Sequence, residues 1–457
     1  MRHFSHRPSH LLRLTLLSVA ACFAMPAQAL DLLGAIRLAA VNDPNLAAVR
    51  AQRLAAGQST IIARSALLPH LGAEASYSEL NLNSQTSVPG KLEYNQTTWG
   101  ARLTQPLFHW DAWYQYKAIS AQRSQQEAEA DNRTQDLFLG VASAYFDVLR
   151  AEDTLALAQA QEKALGQQRD KAEAQFKVGV IARSDVVEAE AQRDTAIAER
   201  LSAEIGLTHA RETLNAALAT EVDDLSPLPE NIPTPTPVPN DSKAWAALAK
   251  QHNPGLIAAR FAASAADKAK QAQRAGYLPS VDLYASTGNI RNSDIVEDVP
   301  SLLPTGSPIN FQAGRQTAVG VEARWELFAG GRTRALVKQA GYQADAARAA
   351  ARAQEHQVVN ATRTAFMTVS TDSQRLAARQ RALRSAELAR EAAQAGYSVG
   401  SRNIVELLQA ETRVFAASRD YANARYDYVI NSLRLKALAG QLDEASVATV
   451  NGWLSAN

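Results

Sequence analysis

One cysteine, Cys22, is all the thiol chemistry in this 457-residue chain, so disulfide frameworks and Cys-based metal clusters are excluded. Aromatic residues are scarce at 6%, while alanine is abundant, most densely between Gly330 and Arg425. Alanine in such amounts suits long helices that approach one another closely better than it suits a compact globular core. No charge of one sign dominates: 47 Lys plus Arg stand against 46 Asp plus Glu, a net charge of +1. Without a basic surplus there is no electrostatic driving force for nucleic acid as a partner. The 8 histidines are scattered without HExxH spacing, and neither a metal nor any other cofactor is indicated. Gly330-Gly331 has no third glycine and no following Lys-Ser/Thr pair; it reads as a hinge, not a phosphate loop. No nucleophile, base and orienting group are assembled, so nothing marks an enzyme.

Long apolar runs are missing too. The one stretch of note, Leu11 to Ala24, has basic residues before and near its start (Arg2, Arg7, Arg13) and precedes Ala27-Gln28-Ala29. It is too short to span a bilayer and predicts a signal peptide over residues 1–29. A competing reading takes Val19-Ala20-Ala21-Cys22 as a lipoprotein box with Cys22 acylated. An exported chain without transmembrane helices is either periplasmic or held in the outer membrane by strands.

What is present is a duplication. Asn42-Asp43-Pro44-Asn45-Leu46 recurs as His252-Asn253-Pro254-Gly255-Leu256, displaced by 210, which also carries Arg50 onto Arg260 and Leu68-Pro69 onto Leu278-Pro279. The displacement becomes 220 for Gly100 and Gly320, Leu107-Phe108 and Leu327-Phe328, and Phe146 and Phe366; it is 221 for Phe176-Lys177-Val178-Gly179 and Tyr397-Ser398-Val399-Gly400. The expected organisation is a first repeat over 30–222, a Pro-rich extended linker over 223–240, a second repeat over 241–440 and a tail over 441–457. Each repeat predicts a helix (31–67 and 241–277) entered by an Asn/Asp/His-Pro turn. Two short strands around a polar loop follow, then a very long helix (110–173 and 332–394). A Val-Gly turn leads into a return helix (184–218 and 403–438). Ala340, Ala344, Ala347, Ala351, Val358, Ala361 and Ala365 step by fours and threes, with Gln354 interrupting, the spacing of a coiled-coil seam.

The strands alternate with period two. Thr317, Val319, Val321, Ala323, Trp325 and Leu327 fall on one face, and Gly320, Glu322, Arg324 and Glu326 on the other. Trp99, Ala101, Leu103 and Leu107 likewise oppose Gly100, Arg102 and Thr104. An ordinary half-buried sheet and a lipid-facing barrel both fit this pattern; the export signal and long helices favour the barrel, with Trp99 and Trp325 at the membrane interface. Four strands cannot close a barrel, and an open edge cannot be left in lipid, so a spanning chain must assemble with copies of itself.

The segment from Gly396 through Arg402 to Ala410, and Asn423-Ala424-Arg425-Tyr426-Asp427-Tyr428-Val429-Ile430-Asn431 beyond it, resemble the TolC family of outer-membrane factors, as does the duplicated layout. The resemblance covers nearly the whole mature chain. It implies an α+β membrane protein: a homotrimer whose strands form a twelve-stranded β-barrel in outer-membrane lipid, continued by an α-helical coiled-coil barrel in the periplasm. It implies a passive gated channel-tunnel for type I secretion or multidrug efflux, partnered by a periplasmic adaptor and an inner-membrane ABC, RND or MFS-type transporter. Carried over residue by residue, the gate latch would join Tyr397 and Arg402 to Asp185, with Ser184 beside it, and a constriction ring would lie at Glu406 and Gln409. Gln409 departs from the family's acidic pattern and would leave one ring neutral. Helix capping at Ser184 and Asp185, and an Asn403–Glu406 capping box, are the structural alternatives. A non-channel periplasmic coiled-coil scaffold is the rival function.

Overall fold

The computed structural model describes residues 29–84, 90–298 and 314–454. The expected signal peptide, with Cys22, lies outside the described residues but for its last position, Ala29. The first repeat runs α1 (Leu32–Asn42), α2 (Pro44–Ser65), β1 (His70–Ser84), β2 (Gly90–Phe108), α3 (Trp110–Lys177) and α4 (Arg183–Leu218). The second runs α5 (Ser242–His252), α6 (Pro254–Ala275), β3 (Ser280–Asp298), β4 (Gly314–Arg324), α7 (Arg332–Ser398) and α8 (Ile404–Leu438), before a last helix, α9 (Glu444–Asn451).

Three expectations need correction. The leading helix of each repeat is two helices, because Pro44 and Pro254 lie inside it rather than at its entry. The residue before a proline is driven out of the helical region. Asp43 and Asn253 are accordingly extended there, and each side chain caps the next helix by accepting from Leu46 N at 2.8 Å and Leu256 N at 2.9 Å. The strands are also longer than expected, 15, 19, 19 and 11 residues. Polar side chains do not interrupt a ladder whose pairing is made by the backbone, and some reinforce it, as Gln96 does by donating to Asn292 at 3.3 Å. At the other end β4 stops at Arg324, paired with Ser280, so Trp325 and Leu327 lie past the ladder. Pro279, with no N–H to donate, ends the partner strand there.

The strands form one antiparallel sheet in the order β1-β2-β3-β4. The β2–β3 pairing joins the two repeats, and β1 and β4 are open edges. Below the sheet, α3 and α7 have 68 and 67 residues, about 100 Å of helix each. The α6 helix packs on both α3 and α7, whereas α2 packs chiefly on α3. The seam of α7 is buried or half-buried at every expected position, from Ala340 through Ala365. Bulky side chains concentrate where the inter-repeat segment crosses the helices: Tyr145, Phe146, Tyr426, Tyr428 and Leu433 are fully buried there. The tail is packed, not loose. Val447 and Val450 of α9 join that core, and Asn451 accepts from Leu33 N and donates to Asp31 at 2.8 Å.

Candidate functional site

The sheet has two chemically distinct faces. Across β1, β2, β3 and β4 the register aligns Leu71, Leu103, Ala285 and Val319, and aligns Ala73 with Ala101. Val321 and Leu283 are also paired, on the same side. These apolar residues face outward with little to cover them; Val319 is 74% exposed. The opposite face carries Glu74, Arg102, Tyr284 and Glu322. There Arg102 lies 4.6 Å over the Tyr284 ring and 3.5 Å from Glu322 Oε2. Tyr284 lies flat over Gly320, where a Cβ would stand 2.9 Å from its hydroxyl; only glycine leaves that space. One face fits hydrocarbon and the other water.

The two tryptophans bracket the apolar face. Trp99 is level with Asn289 and Arg315, while Trp325 follows Arg315 by ten residues and donates from Nε1 to Tyr277 O at 3.1 Å. Ten residues of strand are about 33 Å, and tilted as barrel strands are they rise about 25 Å, the height of a membrane-spanning apolar band. Gly330 and Gly331 then turn the chain into α7 with φ of +59° and +88°, a left-handed pair that other residues adopt only with strain.

At the far end the two hairpin turns are copies of one another. Gly179 and Gly400 have φ of +75° and +74°, and their N–H groups donate to Phe176 O and Tyr397 O at 2.9 and 3.1 Å. Leu165, Val186, Ile404 and Leu408 pack together behind the turns, with Phe176 and Tyr397 against them. Here the structure departs from the expected bonds. The Tyr397 hydroxyl donates to Gln175 Oε1 at 2.6 Å, not to Asp185. Gln175 lies just ahead of the Val-Gly turn and reaches the hydroxyl first. Asp185 acts through its charge: burial, then Asp185, push the Tyr397 hydroxyl above its ordinary pKa. Arg402 sits 3.8 Å from Glu406, both about half exposed at 47%, and makes no bond to Asp185 within the protomer. Ser184 is exposed and caps nothing; the cap position of α4 is Ala182, and Asp185 lies in the first turn. Asn403 caps α8 by accepting from Glu406 N at 2.8 Å, and Gln409 is exposed on the following turn.

Between sheet and tip lies a polar anchor that sequence reasoning passed over. Arg425, 5% exposed, donates to Asp153 Oδ2 at 2.9 Å and to Pro229 O at 2.8 Å, and Tyr426 donates to the same carboxylate at 2.7 Å. Tyr421 and Tyr428 donate to Glu230 O and Pro235 O at 2.9 and 2.7 Å, and Trp245 to Pro239 O at 2.8 Å. The Tyr145 hydroxyl lies 2.9 Å from both Leu30 O and Ser226 O. Proline leaves many linker carbonyls without nearby backbone donors, and these side chains supply them. The signal was there: aromatic and Arg residues clustered at 421–428 opposite a proline-rich segment.

A protomer with an open two-faced sheet, helices about 100 Å long and paired hairpin tips is a segment of a channel wall. Among the described residues no helix is long and apolar enough to cross a membrane, and no cluster of His, Cys, Asp or Glu could hold a metal. The Outer membrane efflux protein family matches the chain over residues 35–220 and 245–441. Outer membrane protein TolC of Escherichia coli (strain K12) is 33% identical over 446 residues, 95% of this chain and 87% of that protein. Alkaline protease secretion protein AprF of Pseudomonas aeruginosa is 29% identical over 433 residues, covering 92% and 87%. The solved structure of the outer-membrane channel OprN superposes with a TM-score of 0.79 at 20% identity over 90% of each chain. The chain belongs to the outer membrane efflux protein family and has the fold of its TolC-like channels. It is an outer-membrane channel protein, and its relatives are transport proteins, not enzymes.

Proposed function

We propose that three copies of the chain close a twelve-stranded barrel and a helical tunnel, a passive gated duct for type I secretion or efflux. The observation that carries this is the pair of open edges, β1 and β4, on a sheet that would lie in lipid. Unpaired N–H and C=O groups there are prohibitively unfavourable, and the β2–β3 junction shows how they are satisfied. Shifting Leu103↔Ala285 by the repeat displacements pairs Ala323 with Ala75 of the partner subunit. An Ala75→Cys/Ala323→Cys double variant should therefore give covalent trimers on oxidation, and each single variant none. Monomers or linear ladders without a closed trimer would sink the reading.

The tip supports a gate. Tyr397 is held within the protomer by Gln175, which leaves the half-exposed Arg402 to reach Asp185 or Ser184 of the partner subunit as a latch. Exposed charge-assisted bonds of this kind contribute only about 0–1 kcal/mol each, weak enough to open when a partner binds. Copies of Glu406 would ring the constriction and hold cations, and Gln409 would add no charge. The energy for export would come from an inner-membrane ABC, RND or MFS-type transporter through a periplasmic adaptor. Relatives named for protease secretion and for efflux leave both cargo classes within this reading.

A further inference from the structure

Between α2 and α3, on the side away from α6, runs a groove of about 810 Å³ whose walls carry Arg50, Arg53, Arg64 and Arg123. Arg123 is paired with Glu127 at 3.1 Å. Among the described residues the side chains of Arg50, Arg53 and Arg64 make no ion pair or hydrogen bond, and all three are exposed. The other repeat shows what such arginines take. Arg260, the counterpart of Arg50, donates to Glu355 at 3.2 Å, with Lys250 on the same carboxylate at 2.8 Å. Asp267 likewise takes Arg348, from Nε at 3.2 Å. In the first repeat the positions of Glu355 and Asp267 are Gln135 and Gly57, and that of Arg348 is Ala128, so both carboxylates are missing while Arg50 remains. A Cβ on Gly57 would meet nothing within 4 Å; the space is open.

The groove's place narrows the partner. Trp113, Tyr116, Arg123 and Glu127 fall on one face of α3, so the groove begins beneath the exposed aromatics at the foot of the barrel and continues away from the membrane. Arg50 to Arg64 spans about 21 Å of helix, too long for a single row of lipid headgroups. Leu54 and Ile61, 73% and 55% exposed, stand among the arginines. Pairing by pseudo-symmetry puts α7 of a neighbouring copy beside α2; its positions 344, 347 and 351, matching 124, 127 and 131, are alanines. Arg348 and Glu355, matching 128 and 135, are already taken by Asp267 and Arg260 of their own protomer.

We propose that this groove docks an acidic amphipathic helix of a second protein, its carboxylates on Arg50, Arg53 and Arg64 and its apolar side chains on Leu54 and Ile61. The outward placement rests on the channel reading above. Charge complementarity and helix-in-groove geometry carry the match, and its electrostatic part weakens as salt screens it.

The test uses the full-length oligomer in detergent and two labelled probes followed by fluorescence anisotropy: a Glu/Leu amphipathic helical peptide and its Gln/Leu twin. The Glu peptide should bind, the Gln twin should not, and an Arg50→Gln/Arg53→Gln/Arg64→Gln variant should lose about tenfold in affinity. Arg260→Gln, whose carboxylate is already in place, should leave binding unchanged. Equal binding of both peptides, or no loss in the triple variant, would overturn the proposal. So would a loss confined to phosphatidylglycerol vesicles, which would assign the arginines to lipid. Single-channel conductance of the triple variant separates this from the duct reading: it should match the parent protein, whatever the peptides do.

Discussion

Where α3 and α8 pass the inter-repeat segment, Arg425 is 5% exposed and donates to Asp153 and to the linker carbonyls of Leu228 and Pro229, while Tyr426 donates to the same Asp153 carboxylate. Where the same hairpins end, Arg402 and Glu406 are each 47% exposed and 3.8 Å apart. The waist pair joins α8 to α3 across the two repeats, the tip pair lies within the entry to α8, and the two differ in burial. A buried guanidinium bonded through both of its amino groups is expensive to disturb, because anything removed leaves a polar group dry. A half-exposed pair can trade its partner for water at almost no loss. The waist is thus the fixed end of the hairpins and the tip the free end, so opening belongs at the tip.

The largest expected effect is at the waist. Arg425→Met keeps the stem's packing and removes the donors, and should destabilise the folded oligomer by about 2–3 kcal/mol. Asp153, 40% exposed, can regain water, which keeps the loss below that of a fully buried charge. The midpoint of heat-induced oligomer dissociation measures it; an unshifted midpoint would mean the linker is not anchored there.

A second effect follows from the tyrosines. Burial, then the Asp153 charge, push the Tyr426 hydroxyl up, and burial pushes up Tyr145 and Tyr428. A raised folded-state pKa gives stability that is complete below the unfolded value, about 10 for tyrosine, and is lost as pH rises past it. The oligomer should weaken above that pH, and Tyr426→Phe should weaken less steeply. Parallel alkaline profiles for the two proteins would remove the waist tyrosines from the account.

Much of this was legible in the sequence, and the reasons are specific. Period-two alternation marked the wall because the two faces meet different solvents, and the register then put Val319, Ala285, Leu103 and Leu71 on one side. The repeat displacements marked the hairpins because each Val-Gly turn needs a left-handed glycine. The split of the leading helices was misread because Asp43-Pro44 and Asn253-Pro254 look the same at a helix entry and between two helices. Tyr397's partner was not legible at all: Gln175 has no distinguishing pattern and competes with Asp185 by position alone. The Arg425 anchor was quoted for its resemblance, while its chemistry depends on linker carbonyls, which every residue has and no sequence pattern displays.

At the tip the expected effects are small in energy and large in current. Glu406→Ala should weaken block by multivalent cations in planar bilayers, since Gln409 supplies no charge in its place. Equal block in both proteins would remove the ring.

Single-channel recording of Arg402→Ser tests the division between fixed waist and free tip most directly. The account predicts a larger conductance than the parent channel with an unchanged dissociation midpoint for the oligomer. An unchanged conductance, or a larger one accompanied by a destabilised oligomer, would contradict it.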